Sequence, residues 1–359
     1  MWWEQYGHRL EPRAGFATAD RLDTEADNRE YDSTGGAVTS TASPSPVDPP
    51  EAEVEPASAE ELNAETIVTA RPDEPESGWR RMVLRASGGL VNLGPSRAER
   101  HRRDLIHRIR RPLLRPHRIA VTSIKGGVGK TTVSTLLGLV MAEHRGDRVI
   151  VMDANPDAGT LADRLTGESS VTVRELLRDI DRITSWTEVS RYTSLAGRLQ
   201  VLASEQDPAS SNAFNREEYE RVCTLLDRFF NVIITDSGTG LVHSAMEGTL
   251  KLANSLIVVG APTVDGAGRA SKTLDWLVAH GYGELAANAV VVLSCDRWSS
   301  EIDIERIREH FTSRCRALIE LPHDPHLATG GRVELARLRP RTREVCYELA
   351  ALVADNFTT

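Results

Sequence analysis

The chain has 359 residues, a formal net charge of −9, 40% hydrophobic and 26% charged residues. It has no apolar run of the roughly eighteen residues a membrane-spanning helix requires, and its first residues lack the apolar stretch of a secretory signal. These features argue against a helical membrane protein and predict a cytoplasmic chain, with a peripheral place at membrane or nucleoid as the alternative. Cys223, Cys295, Cys315 and Cys346 are widely spaced with no C-x-x-C pair, so reduced structural thiols are expected rather than a metal or cluster site.

Residues 1–78 carry eighteen Asp and Glu against five Arg, interspersed with Pro, Ser, Thr and Ala. Such a segment lacks the apolar surface to offset its ordering entropy, and it reads as a disordered acidic tail. From Trp79 the charge reverses. Residues 79–118 hold twelve arginines and two acids, with Leu105, Ile106 and Ile109 at helical spacing. Residues 79–117 read as a basic linker with a helical stretch, able to meet DNA phosphates or anionic lipid.

From residue 118 to 359 short apolar runs alternate with helical patterns, which predicts α/β architecture with a doubly wound, mostly parallel sheet. The expected strands are 118–123, 148–152, 199–203, 232–235, 255–260, 289–294 and 317–321. The clearest expected helices are 131–143, 216–229, 267–280, 302–311 and about 340–354. In such sheets ligands bind beyond the carboxyl ends of the strands, and the polar motifs here follow strands.

The first motif is IAVTSIKGGVGKTT at 119–132. Gly126, Gly127 and Gly129 let the backbone turn tightly, so that N–H groups, including that of Val128, converge on an anion at a helix N-terminus. Lys130 then serves the β- and γ-phosphates, the Thr131 hydroxyl serves Mg²⁺, and Thr132 continues the cradle. Ile124 stands where the usual first glycine would be, and an additional lysine, Lys125, precedes the glycine pair. This K-G-G-V-G-K-T-T arrangement resembles the deviant Walker A loop of the ParA/MinD family of P-loop ATPases.

The resemblance implies ATP and Mg²⁺ as cofactors and an ATP-dependent homodimer, with Lys125 reaching the partner's phosphates. It extends to VIVMDANPDAGTLADRL, where Asp153 matches the first acid of the family's D-x-D signature and Asn155 stands in place of the second, water-positioning acid. An amide orients a water without accepting its proton, so slow turnover is expected unless Asp157 or Asp153 compensates. NVIITDSGTG resembles the second acidic strand of the family, with Asp236 directed at Mg²⁺ and Ser237–Gly240 as a flexible switch. Asp296 and Arg297 stand where family members often carry an Asn-Arg pair whose amide reads adenine; Asp296 can accept from the amino group of adenine or of guanine, and the absence of the N-K-x-D pattern of GTPases favours ATP. LPHDPHLA resembles the family's P-x-D-P loop and implies that Pro322 and Asp324 pack beside the base.

An acidic tail, a basic link and this domain also look like the MinD-like ATPases associated with type VII secretion clusters. The expected function is a dimeric switch ATPase that positions or regulates a protein partner, in partitioning or in secretion. The alternative is a secretion-associated regulatory protein that binds ATP with little turnover. The C-terminus lacks the basic amphipathic helix with which MinD meets membrane.

Overall fold

The computed structural model describes residues 73–76, 78–155, 159–167, 171–204, 214–239, 244–295 and 301–357. The apolar runs form eight strands among these residues: β1 His117–Ser123, β2 Val149–Ala154, β3 Ser194–Ala196, β4 Leu199–Leu202, β5 Val232–Thr239, β6 Ser255–Gly260, β7 Val290–Cys295 and β8 Ala317–Pro322. They lie in one sheet in the order β3-β4-β2-β5-β1-β6-β7-β8. Every pair is parallel except β3 with β4, a hairpin that turns at Gly197 with φ 63°.

Alternate residues of each central strand enter opposite cores, as the two-residue strand period requires when both faces are covered. Ile119, Val121, Val149, Val151, Ile257 and Val259 pack on one face, against α2 (Arg97–Ile109), α3 (Lys130–His144), α4 (Leu161–Leu165) and α13 (Pro340–Ala354). Ile150, Met152 and Ile233 point the other way, toward α5 (Val173–Asp179) and α7 (Arg216–Leu226). On that same side Leu256, Val258 and Val291 meet α8 (Ser244–Leu252), α9 (Val264–Ala279) and α11 (Ile304–Thr312). The α/β, doubly wound, mostly parallel reading is borne out.

Departures from the expected elements have local causes. β3 is three residues at a sheet edge with Leu195 exposed, too short to leave a periodic signal. α9 begins three residues before the expected start because the Thr263 hydroxyl caps it, accepting from the Gly266 N–H at 3.0 Å, despite glycines in the first turns. The segment read as a flexible switch after Asp236 remains in β5 through Thr239, and Ser237 Oγ donates to the Val121 carbonyl at 2.7 Å. Gly240 lies outside the described residues.

Within residues 79–117, α1 (Gly78–Ala86) buries no side chain, whereas α2 does. A Ser96–Glu99 capping box starts α2, and Leu105 and Ile109 are almost fully buried in the core shared with α13. Each such burial contributes roughly 1.5–3 kcal/mol. Arg108 donates to Asp355 at 2.6 Å, Arg111 pairs with the same carboxylate at 3.0 Å, and Arg145 Nη1 donates to the Ile109 carbonyl at 2.6 Å. The helical stretch is therefore an integral layer of the α/β domain. No helix among the described residues is long and apolar enough to cross a membrane.

Candidate nucleotide and metal site

The chain leaves β1 at Ser123 and turns through Gly127 and Gly129, both left-handed, with φ of 72° and 96°. Gly129 is the N-cap of α3 and supplies no side-chain cap, so the first N–H groups of the helix remain available to an anion. A Cβ on Gly129 would also press on Ser294 Oγ at 3.2 Å. Conformation and space thus both demand glycine there.

Lys130 opens α3 and is buried beneath the loop. Burial lowers the affinity of its amine for a proton, and the charges of Asp236 and Asp153 partly offset that effect. The two acids stand abreast because β2 and β5 are neighbours in register, Asp153 opposite Asp236. Both are almost fully buried. Burial pushes the Asp236 carboxyl upward, against stabilising bonds from Thr131 and Ser134, whose hydroxyl lies 3.0 Å from Oδ1. Burial raises Asp153 as well, and the adjacent Asp236 charge adds to it.

Asp153 is held by the N–H groups of Asn155 at 3.0 Å and Leu161 at 3.2 Å. A Cβ on Gly159 would overlap its carboxylate, so the returning chain can pass only as glycine. The Gly159 N–H donates to Ser204 Oγ at 3.0 Å, and Ser204 also bonds Asp153. Two carboxylates of like charge beside the Thr131 hydroxyl form an all-oxygen donor set, which suits a hard divalent cation such as Mg²⁺. The residues present fit that ion.

Above this cluster a cleft of about 400 Å³ opens at the carboxyl ends of the strands. Gly127, Val128, Gly129, Lys130, Thr131 and Thr132 form its floor, Asn155, Thr160 and Arg164 line it after β2, and Ser294 and Leu321–Gly330 contribute from β7 and β8. Its volume and mixed lining are those of a small-molecule site.

The structure thus brings together Gly127, Val128, Gly129, Lys130, Thr131, Thr132, Asn155 and Pro322 around one cleft, with Asp153 and Asp236 beneath it. Gly126 is not among the lining residues. Lys125 points elsewhere, onto Asp265 at 2.6 Å. Asp324 contributes to the lining, but its carboxylate is turned inward: it accepts from the Arg339 N–H at 2.9 Å and the His326 N–H at 3.0 Å. Burial pushes that carboxyl up, and these bonds with Thr342 outweigh it, leaving a lowered pKa. Asp324 shapes the loop that carries Pro322. Asp157, Asp296 and Arg297 lie outside the described residues.

Sequence reasoning missed Ser134, Gly159, Arg164 and Ser204. Only Ser134 left a signal, one helical turn after Lys130 and on the same face.

The CobQ/CobB/MinD/ParA nucleotide binding domain matches residues 119–313, more than half of the chain. The chain belongs to this family. The match spans β1 to α11 and includes the loop, both acids and Ser294. As a family member the chain is 32% identical over 286 residues to the ESX-1 secretion-associated protein EspI of Mycobacterium tuberculosis, covering 79% of this chain and 42% of that protein. It therefore spans less than half the length of that relative.

It is also 28% identical over 170 residues to the septum site-determining protein MinD of Synechocystis, covering 47% of this chain and 62% of MinD. Among solved structures the fold is similar to that of a ParA family ATPase from Chlorobium tepidum, with a TM-score of 0.57 and 17% identity over 66% of this chain and 98% of that one. Pyrococcus furiosus MinD gives a TM-score of 0.54 and 20% identity over 67% and 98%. The ParA/MinD resemblance read from the phosphate loop, and the link to secretion-associated relatives, are borne out.

Proposed function

We propose that this ParA/MinD-type domain is a Mg-ATP-dependent dimeric switch that positions or regulates a protein partner. The observation that carries the reading is the cluster at the foot of the cleft: Lys130 buried beside paired Asp153 and Asp236, with Thr131 between them and the α3 N-terminus. Lys130 and the loop N–H groups neutralise the β- and γ-phosphates. Thr131 and the two aspartates hold Mg²⁺, which supplies charge neutralisation of the phosphate oxygens when bound. MinD of Pyrococcus horikoshii, similar in fold, is complexed with Mg-ADP.

Asn155 lines the cleft where an attacking water would sit, and its amide orients that water without taking its proton. Positioning and charge dominate phosphoryl transfer, so slow hydrolysis is the expected basal state. The second reading, a regulator that binds ATP with little turnover, draws on the same substitution.

The likeness to EspI supports a secretion-associated partner. We place the polyanion contact on residues 79–100, where Trp79, Met82 and Leu90 are exposed and so are Arg81, Arg85, Arg97 and Arg100. Apolar side chains among arginines favour an anionic lipid surface over DNA, because lipid rewards both.

The deciding experiment is calorimetry of ATP binding with Mg²⁺ to wild type and Lys130→Ala. Loss of binding in the variant is expected; undiminished affinity would remove the nucleotide site.

A further inference from the structure

Among the described residues the cleft is lined by one lysine, Lys130, and one arginine, Arg164. Its guanidinium differs from the other arginines with a buried unsatisfied nitrogen. Arg118, Arg316 and Arg343 each leave Nε unpaired but bind through another nitrogen, to Asp227, to Asn356 and Leu352, and to the Ala336 and Leu338 carbonyls. Among the described residues the Arg164 guanidinium has no hydrogen-bond or ion-pair partner, and its Nη1 is buried. A buried N–H of a charged group left without an acceptor is unfavourable, and a ligand in the cleft that Arg164 lines can supply that acceptor.

The placement of Arg164 says which part of a ligand it meets. It lies one helical turn beyond Thr160 on the wall that begins with Asn155, so it is displaced from the water-positioning end. Its carbonyl accepts from the Val333 N–H at 2.8 Å, which ties α4 to the segment following the wall Leu321–Gly330. Arg164 therefore lines the cleft from its β2 side, on a helix whose backbone is tied to the β8 side, in the same cleft whose floor is the start of α3.

We infer that Arg164 is a nucleotide-binding residue that donates to the α-phosphate. Lys130 then holds the terminal phosphates and Arg164 the proximal one, so ADP is retained almost as firmly as ATP. A planar guanidinium suits a phosphate oxygen better than a lysine would. The inference rests on the nucleotide reading above.

Binding of ATP, ADP and AMP to wild type, Arg164→Met, Arg164→Ala and Arg164→Lys tests it by calorimetry, with 2′-deoxy-ATP as a further ligand. Met keeps the packing of the arginine stem if Ala disturbs α4. Met and Ala should weaken all three nucleotides by a common factor, roughly ten- to a hundredfold, with Lys intermediate. Unchanged affinities would overturn the inference. A loss confined to ATP would move the contact to the γ-phosphate, and a penalty that vanishes with 2′-deoxy-ATP would move it to the ribose; either result overturns the α-phosphate assignment. If wild type binds ATP while the Met and Ala variants are unaffected, only the role of Arg164 falls. If wild type binds no nucleotide, the site reading itself falls.

Discussion

The ammonium of Lys125, the extra lysine of the phosphate loop, lies 2.6 Å from Asp265 Oδ2 at the start of α9 rather than facing the cleft. Asp265 also accepts from Arg269 Nε at 2.7 Å, and these two cations hold its carboxyl below the usual range. Both partners are substantially exposed, so solvent screens the pair and its release is easy. For Lys125 to serve the dimer proposed above, it must first leave this pair within its own chain.

Lys125→Ala should therefore weaken ATP-dependent dimerisation while leaving monomer nucleotide binding intact. Asp265→Asn should release the lysine and shift dimerisation modestly toward lower protein concentration. Light scattering with ADP and ATP checks both. A weaker dimer in the Asp265 variant would show instead that this carboxylate is itself a dimer contact.

Asn155→Asp should raise turnover at saturating ATP by roughly tenfold or more, because it restores a proton acceptor without changing side-chain size. The new charge beside the phosphates opposes ATP binding, so turnover rather than affinity is the quantity to measure. An unchanged rate, with Asp157→Ala abolishing it, would place the catalytic acid two residues further along.

Gly159→Ala should destabilise the domain by roughly 1–3 kcal/mol, since the added methyl collides with the Asp153 carboxylate in a packed site. Displacing Asp153 should also reduce the Mg²⁺ dependence of nucleotide binding. Denaturant unfolding and a Mg²⁺ titration report the two effects separately. A fully stable variant with normal Mg²⁺ response would mean that the loop moves aside freely.

His117 supplies a pH test. It is buried, its Nε2 lies 2.9 Å from Ser255 Oγ, and Phe357 packs edge-on against its ring. Burial, reinforced by the positive charge of Arg145, lowers its pKa to about 4. The unfolded chain binds the proton near pH 6.5 and the folded one does not, so stability rises with pH between these values. The contribution is fully present above pH 6.5 and is lost as pH falls toward 4, about 2 kcal/mol by pH 5. The raised carboxyls of Asp153 and Asp236 act in the opposite sense, which makes the difference between wild type and His117→Gln the informative quantity. Identical pH slopes for the two would refute the assignment.

Removing residues 79–117 to test polyanion binding would uncover the core around Leu105 and Ile109. Charge reversal of Arg81, Arg85, Arg97 and Arg100 is the cleaner variant. It should abolish salt-sensitive binding to anionic vesicles and leave the unfolding midpoint nearly unchanged, as these four side chains are exposed. Equal vesicle binding by both proteins would make this surface a solvated face, and binding to DNA alone would reverse the lipid preference.

The sequence by itself determined the phosphate loop, the acids that close two apolar runs and the layered α/β plan. Each of these is local: glycines at Gly127 and Gly129 meet a backbone requirement within one turn, Lys130 and Thr131 follow immediately, and Asp236 ends an apolar run. Tertiary structure decided what depends on residues far apart in the chain. Asp153 and Asp236 stand side by side only because β2 and β5 are neighbours in register. Lys125 leaves the cleft because Asp265 opens α9 beside it, and Asp324 turns inward because the Arg339 N–H lies within reach. Arg164 left no motif, because its significance is a missing acceptor, and only packing shows which donors have been satisfied. The arginines of 97–111 look alike in sequence, yet burial of Leu105 and Ile109 turns Arg108 toward Asp355 and leaves Arg97 and Arg100 in solvent. A periodicity states which residues share a face; the surface against which that face closes exists only after the strands and helices have assembled.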